Sequence, residues 1–334
     1  MVLGPGRSLV TGATGFIGRQ LVSSLLADGE SVRALSRSDV GDAGSPPGLE
    51  VFQGDLTRPD SLHGIASGCR TVFHCAGFAH AREKSFESPH VAVTVAGTRA
   101  LMQEAREAGV RQFVYLSSVK ATGAHPRRCL VEDDSGASID HYGETRREAE
   151  NLLREAADAI GIHLCCLRPA LVYGAGVKGN LHRMIRAVDR GYFPAVPETG
   201  NVRSMIHVHD LVRVIRQVAD DARARGRTYH VTDGRAYSTR EIYVSMAKAL
   251  GMKEPRGAIP ASVLRMMGRF GDLMSLFLPG TFPVDSGAVS RLLDSSCYSN
   301  ARLAAELDFV PAYDLAASID EMVAVYRFEQ RGKA

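Results

Sequence analysis

Near the start of the chain the spacing of apolar residues switches from that of a strand to that of a helix. Leu9 and Val10 enter a turn with glycines at 12, 15 and 18, and Phe16, Ile17, Leu21, Val22, Leu25 and Leu26 then recur at helical spacing. The alternation continues. Further strands are predicted at 31–36, 49–53, 70–75, 112–116 and 162–167, and helices at 88–108 and 141–160, with a short helix opened by Pro59. On the 88–108 helix Val91, Val95, Thr98, Leu101, Met102 and Ala105 share one face. Strands that alternate with helices imply an α/β fold, a parallel sheet covered on both faces.

Beyond Arg168-Pro169 the pattern loosens. A loop with Gly174, Gly176 and Gly179 precedes a predicted helix over 180–190 and a proline-rich turn to Pro197. Strands over 205–208 and 228–231, separated by a helix starting near Asp210, are expected to return to the main sheet. The rest reads as mostly helical. Its segment 259–282 carries Val263, Leu264, Met266, Met267, Phe270, Leu273, Met274, Leu276 and Phe277, too many for one narrow face. A buried hairpin or lid is expected there, with a membrane-surface or dimer contact as the alternative. The chain thus divides into a first unit, 1–170, joined by strands from about 204–232, and a smaller, mostly helical region, 171–334.

Composition narrows the class without naming it. A chain of 334 residues, 45% hydrophobic and 23% charged, is ordinary for a globular protein with a large core. Its net charge of +3 comes from scattered arginines, which does not indicate nucleic acid. No apolar run approaches the ~20 residues needed to span a bilayer, and the glycine turn leaves no room for a signal peptide. Cys69, Cys75, Cys129, Cys165, Cys166 and Cys297 show neither metal spacing nor a C-x-x-C pair. They are expected to be reduced thiols in a cytoplasmic protein, with Cys75, Cys165 and Cys166 buried as small hydrophobes. No metal is expected.

Two constellations carry chemistry. A strand, a tight glycine turn and a helix N-terminus make an anion site, because unpaired N–H groups and the helix dipole point at the turn. Gly12 makes the turn, Gly15 lets a pyrophosphate approach and Gly18 allows close packing of helix on strand, which reads as a dinucleotide site rather than a plain turn. The second constellation is Ser117-Ser118 followed by Tyr142-Gly-Glu-Thr-Arg146. Tyr142 and Arg146 are four apart on a predicted helix and share a face. A phenol beside a fixed cation has its phenolate stabilised and suits proton exchange, and a serine at a strand end can hydrogen-bond a substrate oxygen.

Taken with Thr11-Gly-Ala-Thr-Gly-Phe-Ile-Gly18, Gly54-Asp55-Leu56, His74-Cys-Ala-Gly77, Leu116-Ser-Ser-Val-Lys-Ala-Thr-Gly123 and Arg168-Pro-Ala-Leu-Val-Tyr-Gly174, the chain resembles an extended short-chain dehydrogenase/reductase of the NAD(P)-dependent epimerase/dehydratase family over nearly its whole length. The resemblance implies a Rossmann-type doubly wound sheet. It implies Tyr142 as acid/base, Ser118 as its partner at the substrate oxygen with Ser117 as a neighbouring alternative, and the residue at 146 on the nicotinamide ribose. Asp55 would hold the adenine amino group. The cofactor is expected to lie along Gly12, Thr14, Gly15, Phe16, Ile17, Gly18, Ser36, Arg37, Asp55, Leu56, Cys75, Ala76, Gly77, Tyr142, Arg146 and Pro169. Two positions depart from the family: Arg146 stands where it has lysine, and Thr94 where it has asparagine.

At the end of the second strand Ser36-Arg37-Ser38 replaces the acidic residue that would accept from the adenosine ribose, which favours NADP over NAD. Asn180, Arg203, Arg291 and Asp294 resemble the positions by which sugar-nucleotide enzymes of the family hold a nucleoside diphosphate. The resemblance therefore implies chemistry at carbon 4 of a UDP-hexose or UDP-N-acetylhexosamine, by epimerisation or by reduction of a 4-keto sugar, as in polysaccharide biosynthesis. Reduction of a non-nucleotide ketone such as a steroid and a non-catalytic dinucleotide binder are the other readings. A homodimer through the helices near 88–108 and 141–160 is implied by analogy.

Overall fold

In the computed structural model, residues 6–38, 46–77, 92–136, 139–253, 257–277 and 285–332 are described. The first unit is a seven-stranded parallel sheet. Its strands are β1 (Arg7–Thr11), β2 (Val32–Ser36), β3 (Leu49–Gln53), β4 (Cys69–His74), β5 (Gln112–Leu116), β6 (His163–Pro169) and, from the second half of the chain, β9 (Thr228–Val231). They run in the order β3-β2-β1-β4-β5-β6-β9. The order reverses between β1 and β4, so the crevice at a doubly wound sheet's switch point opens above their carboxyl ends. Central strands such as β2 and β5 are buried throughout, as a sheet covered on both faces requires.

One face carries α1 (Phe16–Ala27) and α5 (Val208–Asp220), whose Leu21, Leu25, Leu211 and Ile215 join Val10, Val114 and Leu167 in one core. The other carries α2 (Gly97–Glu107) and α3 (His141–Ile160), with Leu101, Met102, Ala149 and Leu153 packed on Leu9, Val72 and Phe113. The helix expected over 88–108 begins as a π-helical turn, Ala92–Ala96, before α2; residues 88–91 lie outside those described.

A buried ionic network locks α3 to the sheet. Arg168 on β6 donates to both oxygens of Glu150 at 2.9 and 2.6 Å, and Arg154 adds a third contact at 3.1 Å. Arg168 also donates to Thr122 Oγ1 and to the Glu132 carbonyl, so its charge is met on every side. Asp140 caps the N-terminus of α3 by accepting from Gly143 N, and its second oxygen meets Lys120 Nζ at 3.2 Å.

The return of the chain to the sheet differs from expectation. Thr228–Val231 joins β6, but β8 (Arg203–His207) does not reach the main sheet. It pairs with β7 (Leu171–Tyr173) and β10 (Ala236–Tyr237) in a small second sheet. The five residues are Arg-Ser-Met-Ile-His, and nothing local in that run selects one sheet over the other. The helix α9 (Ala301–Leu307) returns as well, placing Leu303, Leu307 and Phe309 in the first core. The second lobe holds α4 (Asn180–Asp189), α6 (Thr239–Ala249) and α10 (Leu315–Arg331) around Tyr173, Met246 and Met322.

Two further expectations are corrected. The six cysteines are not all thiols: Cys129 and Cys297 form a disulfide. Leu130 N donates to Cys297 O at 3.0 Å, a pairing that brings together segments 168 residues apart and that spacing alone does not reveal. Cys165 and Cys166 are buried as expected, and Cys75 is half-buried. The segment expected as a buried hairpin forms α7 (Ala261–Phe277), which packs on α8 (Ser286–Leu293) but leaves most of its large side chains in water. Residues 278–284 are outside those described.

Candidate active site

The glycine turn sits between β1 and α1, where Gly15 N donates to Gly12 O at 2.9 Å. Gly15 is the N-cap of α1, and among the described residues no side chain caps the first turn. They remain available to an anion. Gly12 takes φ +69°, and a Cβ there would lie 2.7 Å from Ala76 N, so the β4 loop passes directly over the turn. At Gly18 a Cβ would strike the Gly12 carbonyl. Thr14 is exposed and Phe16 and Ile17 half-buried around this opening.

The remaining cofactor positions lie at the carboxyl ends of neighbouring strands: Ser36 and Arg37 after β2, Asp55 and Leu56 after β3, Cys75, Ala76 and Gly77 after β4, and Pro169 at the end of β6. Asp55 accepts from the backbone and hydroxyl of Thr57 through Oδ1. The Thr57 backbone bond, aided by the nearby Arg58 and Arg37 charges, holds the Asp55 carboxyl below its ordinary pKa. It is an ionised acceptor suited to an exocyclic amine. Ser36 turns its hydroxyl onto Ser38 O at 2.9 Å, while Arg37 is exposed.

Tyr142 and Arg146 stand one turn apart on α3, with Arg146 Cζ 5.2 Å from the centre of the Tyr142 ring. Arg146 is 5% exposed. Its Nη1 donates to Tyr115 OH at 3.2 Å and to Leu116 O at 3.1 Å, and its guanidinium lies against Gly77, where a Cβ would collide with it. Burial alone would lower its pKa, but the neighbouring Tyr142 and Tyr115 phenols hold it above the ordinary value. It is a permanent cation. Burial pushes the Tyr115 phenol up to about 12, so that hydroxyl stays a neutral partner. Tyr115 was missed in the sequence because it alternates as an ordinary core residue of β5.

Below this pair His74 bridges Thr11 Oγ1 at 2.6 Å and Thr98 Oγ1 at 2.8 Å, tying β1 to α2. Burial, and then the Arg146 charge, depress its pKa to about 3, so it is neutral. Ser118 is half-buried, and its hydroxyl accepts from Lys120 N at 3.3 Å. Among the described residues, the buried Ser117 Oγ, Thr94 Oγ1 and Arg146 Nε have no hydrogen-bond partner. Unpaired buried groups are costly. Around a glycine turn with free N–H groups, they fit a bound polar cofactor that supplies the partners.

On the substrate side three of the four predicted residues converge. Arg203 donates to the backbone carbonyls of Arg291 and Asp294, the latter at 3.0 Å, and to Thr239 Oγ1 at 3.1 Å. Arg203 is half-buried, and burial lowers its pKa. From this cluster the chain continues to Tyr298, whose hydroxyl donates to Gly123 O at 2.7 Å on the loop that carries Ser118. Asn180 is not joined to them. It is exposed at the start of α4 and accepts from Arg183 at 2.6 Å.

An open doubly wound sheet whose first turn is glycine-rich and opens a helix N-terminus is the architecture that binds dinucleotides at its switch point. The chain belongs to the NAD dependent epimerase/dehydratase family, whose model matches residues 8–232. It is similar to UDP-glucose 4-epimerase of Vibrio cholerae, 32% identical over 84% of this chain and 88% of that one. It is also similar to sterol demethylase protein B of Methylococcus capsulatus, 33% identical over 97% of this chain and 99% of that one. UDP-glucose 4-epimerase of Thermotoga maritima, solved with UDP-glucose, has the same fold, with a TM-score of 0.76 at 19% identity over 97% and 99% of the two chains.

Proposed function

We propose that this protein acts at carbon 4 of a UDP-hexose or UDP-N-acetylhexosamine, with Tyr142 as the acid/base. The observation that carries this reading is the gathering of Arg203, Arg291 and Asp294 and their link through Tyr298 to the Ser118 loop. Arginine suits the diphosphate, and a carboxylate suits ribose hydroxyls. Ser118 hydrogen-bonds the substrate oxygen while Tyr142 takes its proton, and Arg146 stabilises the resulting phenolate. The nicotinamide, when bound, accepts and returns the hydride. For an epimerase the return is to the opposite face of the 4-keto sugar; for a reductase the same residues act once. Thr94 and Arg146 offer their unpartnered atoms to the cofactor. Arg37, exposed where an acid would exclude a 2′-phosphate, favours NADP, with NAD the alternative. A cytoplasmic homodimer through the helices near 88–108 and 141–160 completes the proposal.

Purified protein with NAD or NADP and a panel of UDP-sugars, followed by NMR of the sugar, tests it. Conversion at carbon 4 is expected, and Arg291→Ala should raise KM about 10- to 100-fold, the scale for a hydrogen bond to a charged group. Cofactor binding with no turnover on any sugar would leave a non-catalytic binder. A second reading, oxidoreduction of a sterol, is favoured by the near-complete match to the Methylococcus relative. It predicts turnover of a 3β-hydroxysterol that Arg203→Ala and Arg291→Ala leave unchanged.

A further inference from the structure

Arginine at 146 poses a problem that lysine would not. A lysine ends in one rotating ammonium, whereas a guanidinium offers its donors in one fixed plane, so it serves a ligand only when that plane is set. Here β5 sets it. Arg146 Nη1 donates to Tyr115 OH at 3.2 Å and to Leu116 O at 3.1 Å. Two acceptors on one nitrogen of a planar group fix its tilt as well as its place. On the other side Gly77 leaves space that any Cβ would take from the guanidinium. The buried Nε keeps no partner among the described residues.

Tyr115 is itself held fast. It is fully buried, and its ring lies 5.5 Å from that of His74, which Thr11 and Thr98 pin from both ends. Arg146 Cζ stands 5.9 Å from the centre of the Tyr115 ring and 5.2 Å from that of Tyr142. The guanidinium therefore sits between two phenols, one locked in the core and one at the site. The Leu116 carbonyl is backbone and would be present with any residue at 116. The Tyr115 hydroxyl is the part of the anchor that the sequence chooses. A phenylalanine would fill the same space, so packing alone does not account for the hydroxyl.

We propose that Tyr115 is the positioning residue that makes an arginine workable at 146: its hydroxyl holds the guanidinium so that Nε is left for the cofactor and the charge stays beside Tyr142. The test is a double-mutant cycle of Tyr115→Phe and Arg146→Lys, read by fluorescence titration of the full chain with NADPH and with NADH. Tyr115→Phe should weaken binding of the preferred nucleotide about 10-fold, the scale of a hydrogen bond to a charged group. In the Arg146→Lys background the same change should alter affinity less than about twofold, because an ammonium has no plane to be set. With a UDP-sugar that turns over, Tyr115→Phe should lower kcat while the KM for the sugar stays. That second readout rests on Tyr142 as the acid/base; the titration does not. A protein that binds the nucleotide but converts no sugar would therefore end the proposed function and leave the titration to decide this inference. Wild-type affinity in Tyr115→Phe, equal losses in both backgrounds, or a wild type that binds neither nucleotide would overturn it.

Discussion

Glu150 and Arg168 are charged and sit in the interior of the first unit, while Met266 and Leu273 are apolar and more than half exposed on the second lobe. Each pair reverses the usual rule, and the surroundings say why. Around Glu150 every oxygen is met by a guanidinium, so the buried charge is compensated and holds α3, the helix that carries Tyr142, in one register on β6. On α7 the small side, with Gly268 close against Ser286 and Val289, packs inward and turns Met266 and Leu273 outward. A buried charge satisfied internally serves rigidity, whereas exposed apolar side chains on α7 follow from which side of the helix is small enough to pack.

The sharpest way to break the first half of this contrast is Glu150→Ala. It leaves Arg168 buried without its counter-charge and should cost about 3–5 kcal/mol in urea unfolding. Replacing both partners, as Glu150→Leu with Arg168→Met, should recover most of that loss. If the single variant unfolds like the wild type, the network does not hold α3.

The next effect is a pH dependence of roughly 2–3 kcal/mol per pH unit near pH 5.5. Burial depresses His74 and His230 to about 3 and His207 to about 4, so each is neutral in the folded protein and takes up a proton on unfolding below 6.5. That stability is full above 6.5 and is lost as the pH falls toward 3. Asp233, which burial raises to about 6, acts with the opposite sign: it is largely protonated when folded and releases its proton on unfolding. Calorimetry at pH 5.5 should therefore find a net uptake of about two protons. An uptake near zero would show that these histidines are charged in the fold.

The smallest expected change is at the start of α3. Asp140→Ala removes the cap on Gly143 and the contact with Lys120, for a loss of about 1 kcal/mol with turnover nearly retained. A large drop in turnover instead would make the cap part of Tyr142's alignment.

Much of the first unit was legible in the sequence. The glycine turn announces β1 and α1, and buried parallel strands such as 112–116 appear as short apolar runs whose bounds the structure reproduces. Tyr142 and Arg146 were found because helical spacing and position after β5 coincide. The rest was hidden for physical reasons. Glu150 and Arg168 look like solvated charges until β6 and α3 are packed together. The strand at 203–207 has no local mark of which sheet it joins, and the disulfide joins segments that meet only in the folded chain. In α7 the count of apolar residues was plain, but which side meets α8 depends on Gly268, whose role appears only against Ser286 and Val289. Arg203, Arg291 and Asp294 were singled out through family resemblance; their convergence rests on backbone carbonyls that no motif records.

The central claim is that Tyr142, beside the permanent cation of Arg146, moves the proton while hydride passes between cofactor and substrate. Nicotinamide absorbance, followed in the wild type and in Tyr142→Phe with the UDP-sugar that turns over, tests it most directly. The account predicts a rate at least about 100-fold lower in the variant, with cofactor affinity nearly unchanged. A variant that turns over within a few-fold of the wild type, or that fails only because it no longer binds cofactor, would contradict it.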